Sequence, residues 1–215
     1  MSTKKTNTQP NFLIIMSDEH GGQYSSVYGN STIETPAMER LAEEGVTFES
    51  AYCNSPLCVP SRINFMTGQY NCNCKGWDNA TPMREDAVTW PYLLRSKGYD
   101  VVLSGKMHLV GVDHLHGFSR QLAKDIHSFI PHPIYPWKDG IKEATQPWQG
   151  LLEAGSGLPG HPEQGTGMPE EMQNRGYIPT GAGRTAEIET DDAVESAAVT
   201  YLQDPARKQQ PFALC

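Results

Sequence analysis

The chain has 215 residues, of which 38% are hydrophobic and 20% are charged, a composition typical of a globular protein that is large enough to bury a core. Its apolar runs are much shorter than the roughly 18 residues that a transmembrane helix needs, so a membrane-spanning protein is excluded. The formal net charge is −8 and the sequence has no cluster of Lys and Arg, which argues against nucleic acid and anionic membranes as partners.

From Met1 to Pro10 the chain is polar, with neither the apolar segment nor the cleavage site of a signal peptide. We therefore expect a disordered tail over residues 1–10, a folded domain over residues 11–215 and a cytoplasmic protein. The five cysteines are an odd number in a chain that is large enough to fold without cross-links, so they do not indicate a disulfide framework.

Strand and helix signals alternate along the first half of the chain, as in a sheet whose parallel strands are joined by helices. Short apolar runs predict the strands, while proline in a first turn and glycine after a last turn mark the helices. In chain order we expect a buried strand over 12–16, a helix over 36–44, a strand over 46–52, helices over 60–67 and 90–97, and a strand over 99–104.

The second half of the chain begins with an irregular segment. Residues 131–183 hold half of the prolines and half of the glycines and show little periodicity, so we expect an insertion there. Beyond it, Asp191 or Asp192 is expected to cap a helix, and residues 212–215 are expected to form a strand. The whole pattern predicts an α/β fold with a mostly parallel central sheet flanked by helices and truncated at its C-terminal side.

Two adjacent acids, Asp18 and Glu19, follow the first predicted strand. Ligands of open α/β sheets bind at the C-terminal ends of the strands, so these carboxylates are candidate site residues. Neighbouring carboxylates repel each other unless water or a cation lies between them, and their oxygens suit a hard ion such as Ca²⁺ or Mg²⁺. The alternative is an ordinary acidic loop after a strand.

The segment Cys58-Val59-Pro60-Ser61-Arg62 lies at a predicted helix start. Pro60 suits the first turn of a helix, so Cys58 would lie near free backbone N–H groups and the positive end of the helix dipole, where an anion or a thiolate is stabilised. Arg62 would bind an oxyanion with its planar guanidinium or hold residue 58 in place. A buried structural cysteine beside a surface arginine is the alternative.

Lys106 and His108 follow the predicted strand over 99–104. Because they are two residues apart, they project to the same side if the extended geometry persists, and both then reach one anion. One alternative is a solvated lysine with a core histidine. Another is a zinc cluster of His108, His114 and His116, which lacks a cysteine and has a single acid nearby.

Taken together, these segments resemble the N-terminal part of the sulfatase family, within the alkaline-phosphatase superfamily of α/β hydrolytic enzymes. The resemblance covers residues 11–127 and is most specific over residues 55–68. This segment matches the family signature, in which C-x-P-S-R is followed by two apolar residues and then by Thr and Gly. Val59 departs from this pattern because small residues are usual at its place. The C-x-P-x-R core that the maturation enzyme of the family recognises is intact.

The resemblance implies a role for each candidate residue. Cys58 would be oxidised to formylglycine by the formylglycine-generating maturation enzyme, and Arg62 would orient this nucleophile. A divalent cation, Ca²⁺ in preference to Mg²⁺ or Mn²⁺, would be held by Asp18, Glu19 and the residue at 58, although Asp or Gln is usual in place of Glu19. Lys106 would contact the sulfate or assist the leaving oxygen.

His108 would share the role of Lys106, and Asn79 would contact the sulfate. Further ligands of the metal and the sulfate lie in a later segment of the family, so we expect these 215 residues alone to be inactive.

The implied activity is hydrolysis of a small or sugar sulfate ester. Choline sulfate is one candidate, because residues 77–80, 103–108 and 115–118 are most similar to choline sulfatases. Aromatic candidates for binding its quaternary ammonium are Trp77, Trp137 and Trp148. One alternative is a phosphonate monoester or phosphodiester hydrolase of the same superfamily. Another is a truncated fragment that binds sulfated ligands but is inactive, because its Cys58 is not converted. Assembly into a homo-oligomer is left open.

Overall fold

A computed structural model describes residues 9–125 and 186–215. Its strands are β1 (Phe12–Leu13), β2 (Asp100–Leu103), β3 (Arg120–Gln121) and β4 (Phe212–Leu214). Its helices are α1 (Pro36–Glu44), α2 (Cys58–Thr67), α3 (Asn71–Cys74), α4 (Trp90–Ser96) and α5 (Ala186–Gln203). The described strands form one parallel sheet in the order β1-β4-β2-β3. This arrangement confirms the predicted α/β fold.

Strand β2 contributes to a core on each face of the sheet, because successive residues of a strand point to opposite sides. On one face, buried Val101 and Leu103 pack in a cluster with Ile63 of α2. On the other face, Val102 packs in a second cluster with Tyr201 of α5. Helices therefore flank the sheet on both faces, as predicted, and α2 is anchored against it.

All of these strands run in the same direction, so their C-terminal ends lie at one edge of the sheet. The pairing of β1 with β4 extends beyond β1, since the N–H of Ile14 donates to the carbonyl of Leu214 at 2.8 Å. The segments that follow β1 and β2 contain Asp18 and Lys106, respectively. Both segments therefore emerge at the edge where ligands of open α/β sheets bind.

Two strand predictions differ from the structure. Residues 46–52 form no strand in the described part of the chain, and Val46 and Tyr52 are 78% and 92% exposed. Their apolar residues alternate as in a strand, but no strand among the described residues pairs with this segment. The strand predicted over 12–16 is reduced to Phe12–Leu13 and is exposed rather than buried, because β1 is the edge strand of the described sheet.

Two helices begin earlier than predicted. Helix α2 begins at Cys58 instead of Pro60, which is compatible with proline because the N–H groups of a first turn lack an intrahelical partner. Helix α5 begins at Ala186, so Asp191 and Asp192 lie inside the helix and the predicted cap is wrong. Good helix-forming residues, including Ala186, precede these acids and extend the helix towards its N-terminus.

The other predicted elements, α1, α4, β2 and β4, are confirmed to within one residue at each end. The sequence pattern does not predict α3 or β3. Most of the expected N-terminal tail and all of the expected insertion over 131–183 lie outside the described residues. Among the helices that the structure describes, none combines the length and the apolar character required to cross a membrane.

Candidate active site

Helix α2 presents Cys58 and Arg62 on one face, because residues four apart lie one above the other on a helix. Cys58 is the first residue of the helix and is partly buried, whereas Arg62 is only 4% exposed. The N–H of Val59 is among the helix donors that lack an intrahelical partner, and it donates to Oδ1 of Asn79 at 3.0 Å. The motif thus stands at a helix N-terminus, as predicted.

The buried guanidinium of Arg62 joins the segment after β1 to the segment after β2. Its Nη2 donates to Oδ1 of Asp18 at 3.0 Å, and its Nη1 donates to the backbone carbonyl of Lys106 at 2.8 Å. A buried cation needs such partners, and a planar guanidinium serves two acceptors at once. Arg62 therefore fixes Asp18 relative to Lys106, a role that the sequence does not predict.

Lys106 lies between Asp18 and Cys58. Its Nζ is 2.6 Å from Oδ2 of Asp18 and 3.7 Å from Sγ of Cys58. The side chain of Lys106 is only 18% exposed. Asp18, Cys58, Arg62 and Lys106 thus form one contiguous group, called here the active-site cluster.

The electrostatics of the active-site cluster favour an ionised Asp18. Partial burial acts to raise the pKa of this carboxyl group, but hydrogen bonds and charge from Lys106 and Arg62 outweigh burial and lower the pKa below its ordinary value. At neutral pH the cluster therefore contains one carboxylate shared by two cations.

The structure places the three other predicted site residues around the active-site cluster. Asn79 binds the start of α2, Glu19 is exposed with a left-handed φ of 56°, and His108 is 3% exposed with a φ of 50°. Strand β2 ends at Leu103, so the extended geometry that would point Lys106 and His108 to the same side does not persist. The catalytic, sulfate-binding or metal-binding roles of these three residues stay predictions.

The described residues supply only part of a metal site. Asp18 offers a carboxylate close to Cys58, which is the donor chemistry that a hard cation needs. Within residues 9–125 and 186–215, however, His, Cys, Asp and Glu side chains do not gather in groups of three or more that could hold a metal ion. The alternative zinc cluster of His108, His114 and His116 is therefore wrong. A Ca²⁺ site with its usual 6–8 oxygen ligands would need ligands from beyond this part of the chain or from water.

A cavity of about 690 Å³ borders the active-site cluster. Asp18, Arg62 and Lys106 form a charged part of its wall. Helix α5 contributes both apolar side chains, such as Val194 and Leu202, and the acids Asp191 and Glu195. A volume of this size suits a small ligand. The combination of walls fits a molecule with a charged group and a less polar remainder.

Asp125 is an acid at this edge of the sheet that the sequence pattern does not indicate. It is 8% exposed, and its Oδ2 accepts the backbone N–H of Met107 at 3.0 Å and that of His108 at 2.6 Å. Asp125 binds backbone groups 17 and 18 residues earlier in the chain. A contact of this kind requires no particular residue type at those positions, so the sequence pattern does not reveal it.

The parallel sheet, with helices on both faces and the active-site cluster at its C-terminal edge, defines an α/β protein whose site lies where ligands of open α/β sheets bind. Comparison of the sequence with known protein families identifies the family to which the chain belongs. The sulfatase family matches residues 10–137, which is more than half of the chain, so the protein belongs to the sulfatase family. This result confirms the resemblance that the C-x-P-S-R motif predicts.

Two relatives show how much of a sulfatase this chain represents. The choline-sulfatase of Rhizobium meliloti is 39% identical over 122 residues, which are 57% of this chain and 24% of that protein. The N-acetylglucosamine-6-O-sulfatase of Bacteroides thetaiotaomicron is 37% identical over 115 residues, 52% of this chain and 21% of that protein. The chain thus spans a quarter or less of the length of these relatives.

Two solved structures are similar in fold to this chain, and their folds are of the alkaline-phosphatase-like type. A protein in complex with its substrate D-glucosamine-2-N,6-O-disulfate superposes with a TM-score of 0.60 at 25% identity, over 95% of this chain and 33% of the other. The phosphonate monoester hydrolase of Agrobacterium radiobacter superposes with a TM-score of 0.61 at 23% identity, over 96% of this chain and 40% of the other. The second likeness shows the fold alone.

Proposed function

We propose that this chain is the nucleophile-bearing N-terminal part of a sulfatase, a hydrolase of sulfate esters. The observation that supports this function best is the position of Lys106, whose Nζ is 3.7 Å from Sγ of Cys58 and 2.6 Å from Oδ2 of Asp18. An ammonium group beside a helix N-terminus is suited to binding an anionic ester, and the carboxylate of Asp18 holds this ammonium in place. Membership of the sulfatase family gives these residues their proposed roles.

The proposed nucleophile is formylglycine, produced from Cys58 by a maturation enzyme. Its hydrate has two hydroxyl groups on one carbon. One hydroxyl loses its proton and attacks sulfur, the bond from sulfur to the alcohol oxygen breaks, and the alcohol leaves after taking up a proton. The second hydroxyl then loses its proton, the aldehyde re-forms, and sulfate is expelled; water restores the hydrate. The covalent intermediate divides one difficult step into two easier ones.

The other site residues hold the reacting groups in place and stabilise negative charge in this proposal. The ammonium of Lys106, 3.7 Å from the sulfur of Cys58, is proposed to contact the sulfate or to assist the leaving oxygen, and so to stabilise the charge that develops in the reaction. Arg62 keeps Asp18 and the backbone of Lys106 in place through its two donated hydrogen bonds. His108 is proposed to contact the sulfate or to assist the leaving oxygen, and Asn79 is proposed to contact the sulfate.

A divalent cation, with Ca²⁺ as the first candidate, is part of the proposal. Asp18, the residue at 58 and Glu19 are its proposed ligands in this chain. Such an ion lowers the pKa of a bound hydroxyl and withdraws charge from a sulfate oxygen. Because Oδ2 of Asp18 accepts a hydrogen bond from Lys106, we expect cation binding to compete with this ion pair.

The proposed substrates are small or sugar sulfate esters, in line with the names of the two relatives. Trp77 is 49% exposed and is a candidate for binding the quaternary ammonium of choline, whereas Trp137 and Trp148 lie outside the described residues. The cavity beside the active-site cluster offers room for the alcohol part of the ester. The cytoplasmic location and a homo-oligomeric state stay predictions.

Turnover of sulfate and phosphonate esters by the full-length protein, co-expressed with a maturation enzyme, tests this proposal. We expect hydrolysis of an aryl sulfate or a sugar sulfate, abolished by Cys58→Ala and retained in Cys53→Ala, which changes an exposed cysteine a few residues earlier. Faster hydrolysis of a phosphonate monoester would favour the alternative hydrolase. Sulfate binding without any turnover would favour a protein that binds sulfated ligands and has no catalytic activity.

A further inference from the structure

The turn after β2, residues 104–108, has a strained backbone. Gly105 has a φ of 93°, and His108 has a φ of 50°. A residue other than glycine rarely adopts a left-handed conformation, and the surrounding structure must hold it there. The turn that positions Lys106 therefore depends on contacts from outside itself.

Polar side chains from several parts of the fold supply these contacts. Ser104 Oγ of the turn donates to the carbonyl of Val194 at 2.9 Å, and Gln121 Nε2 donates to the carbonyl of Gly105 at 2.9 Å. These two bonds fix the beginning of the turn. Its second half is held by Arg62 and by Asp125.

Arg62 and Asp125 hold the same peptide group. The carbonyl of Lys106 and the N–H of Met107 belong to one rigid plane. Arg62 Nη1 donates to this carbonyl at 2.8 Å, and Oδ2 of Asp125 accepts this N–H at 3.0 Å. The peptide that follows the Cα atom of Lys106 is thus fixed at both of its polar atoms, once by a buried cation and once by a buried carboxylate.

The same oxygen of Asp125 also accepts the N–H of His108 at 2.6 Å. Two consecutive N–H groups that converge on one anionic oxygen form a charge-assisted arrangement, which is stronger than hydrogen bonds between neutral groups. Because these two N–H groups lie on either side of the Cα atom of Met107, the contact fixes the backbone of the turn at Met107. It also ties the direction of the Lys106 side chain to the carboxylate of Asp125.

We infer that Asp125 is a positioning residue that holds the peptide after Lys106 so that the ammonium of Lys106 reaches both Asp18 and Cys58. The catalytic importance of this role rests on the proposed function, whereas the geometric role does not. Asp125 itself contacts backbone groups of the turn and is not proposed to touch the substrate.

Acylation of the Lys106 amine by an N-hydroxysuccinimide ester, resolved by peptide mass spectrometry, tests this inference without any turnover. In the native chain the amine is held against Asp18 and is only 18% exposed, so labelling should be slow. In Asp125→Ala both N–H contacts to the carboxylate are lost, and we expect labelling of Lys106 to rise by about tenfold or more, because one hydrogen bond to a charged group already corresponds to a factor of about ten. Asp125→Asn keeps an acceptor oxygen and should give an intermediate rate.

Asp113→Ala is a matched control. Oδ1 of Asp113 also accepts two backbone N–H groups, from Leu115 at 2.8 Å and His116 at 3.0 Å, but it holds a different loop. This variant should leave the labelling of Lys106 unchanged. Unchanged labelling in both Asp125 variants, or an equal rise in Asp113→Ala, would overturn the inference. If Asp125→Ala does not fold, the labelling rate of Asp125→Asn decides by itself.

The kinetics of the full-length, matured enzyme provide the second readout. We expect kcat for an aryl sulfate to fall by about tenfold in Asp125→Ala, with partial recovery in Asp125→Asn and little change in Asp113→Ala. A kcat for Asp125→Ala equal to that of the native enzyme would overturn the catalytic part of the inference. If the native enzyme hydrolyses no sulfate ester, the proposed function fails, and the labelling experiment still decides whether Asp125 positions Lys106.

Discussion

Replacing Asp18 by Asn tests the electrostatic centre of the active-site cluster. The substitution keeps the shape of the side chain but removes the charge that Arg62 and Lys106 share at 3.0 Å and 2.6 Å. A hydrogen bond to a charged group contributes about 1.5–3 kcal/mol, but the Asp18 side chain is 39% exposed, so solvent screening reduces the sum. For the metal-free chain we expect the free energy of unfolding to fall by about 2 kcal/mol at pH 7.

This loss should depend on pH. Partial burial of Asp18 acts against ionisation, but Lys106 and Arg62 lower the pKa of Asp18 in the folded chain. The carboxylate therefore stabilises the fold above its unfolded-state pKa of about 3.9, and this contribution disappears as the pH falls through the lower folded-state pKa. The difference between the native chain and the variant should be largest at pH 7 and should shrink towards pH 2. Urea unfolding with EDTA at several pH values measures this difference.

Asp86→Asn is the control for Asp18→Asn. Asp86 also forms a salt bridge, 2.6 Å from Arg84, but both side chains are more than half exposed. Exposed ion pairs contribute little to stability, so the free energy of unfolding should hardly change. The reasoning would be refuted if Asp18→Asn cost the same at pH 7 and at pH 3, or if Asp86→Asn were equally destabilising.

Two further predictions concern the packing that supports the site. Phe118→Ala should lower the free energy of unfolding by about 3–5 kcal/mol in urea unfolding, because the side chain is 1% exposed and its ring lies 5.4 Å from that of Trp90; a cost below 1 kcal/mol would contradict the described core. Gly105→Ala should cost about 1–3 kcal/mol, since φ is 93° and the added Cβ would lie 2.9 Å from the methyl groups of Val194. Adding Val194→Ala should relieve the steric part of this cost but not the backbone part, and thermal unfolding of both variants checks the distinction.

The position of the active-site cluster follows from the sequence through two simple rules. The sequence predicts that Cys58 and Arg62 lie at a helix start, and that Asp18 and Lys106 each follow a strand of a mostly parallel sheet. Both predictions are confirmed, and these residues contact one another. The sequence could not show that Arg62 acts on Asp18 and the Lys106 backbone, because these contacts depend on the three-dimensional packing of α2.

The errors have physical causes as well. The alternating apolar residues over 46–52 are typical of a strand, but alternation cannot show whether a partner strand lies beside them. A shared direction of Lys106 and His108 requires extended backbone, which the positive φ of Gly105 and His108 excludes. Asp125 binds N–H groups of the backbone, and such contacts leave no trace in side-chain spacing.

Conversion of Cys58 is the most direct test of the proposed mechanism. In full-length protein co-expressed with a maturation enzyme, mass spectrometry should find the peptide that contains Cys53 and Cys58 lighter by the difference between a thiol and an aldehyde side chain, with fragment ions placing the change at residue 58. A peptide of unmodified mass, with Cys58 still a thiol under these conditions, would contradict the account.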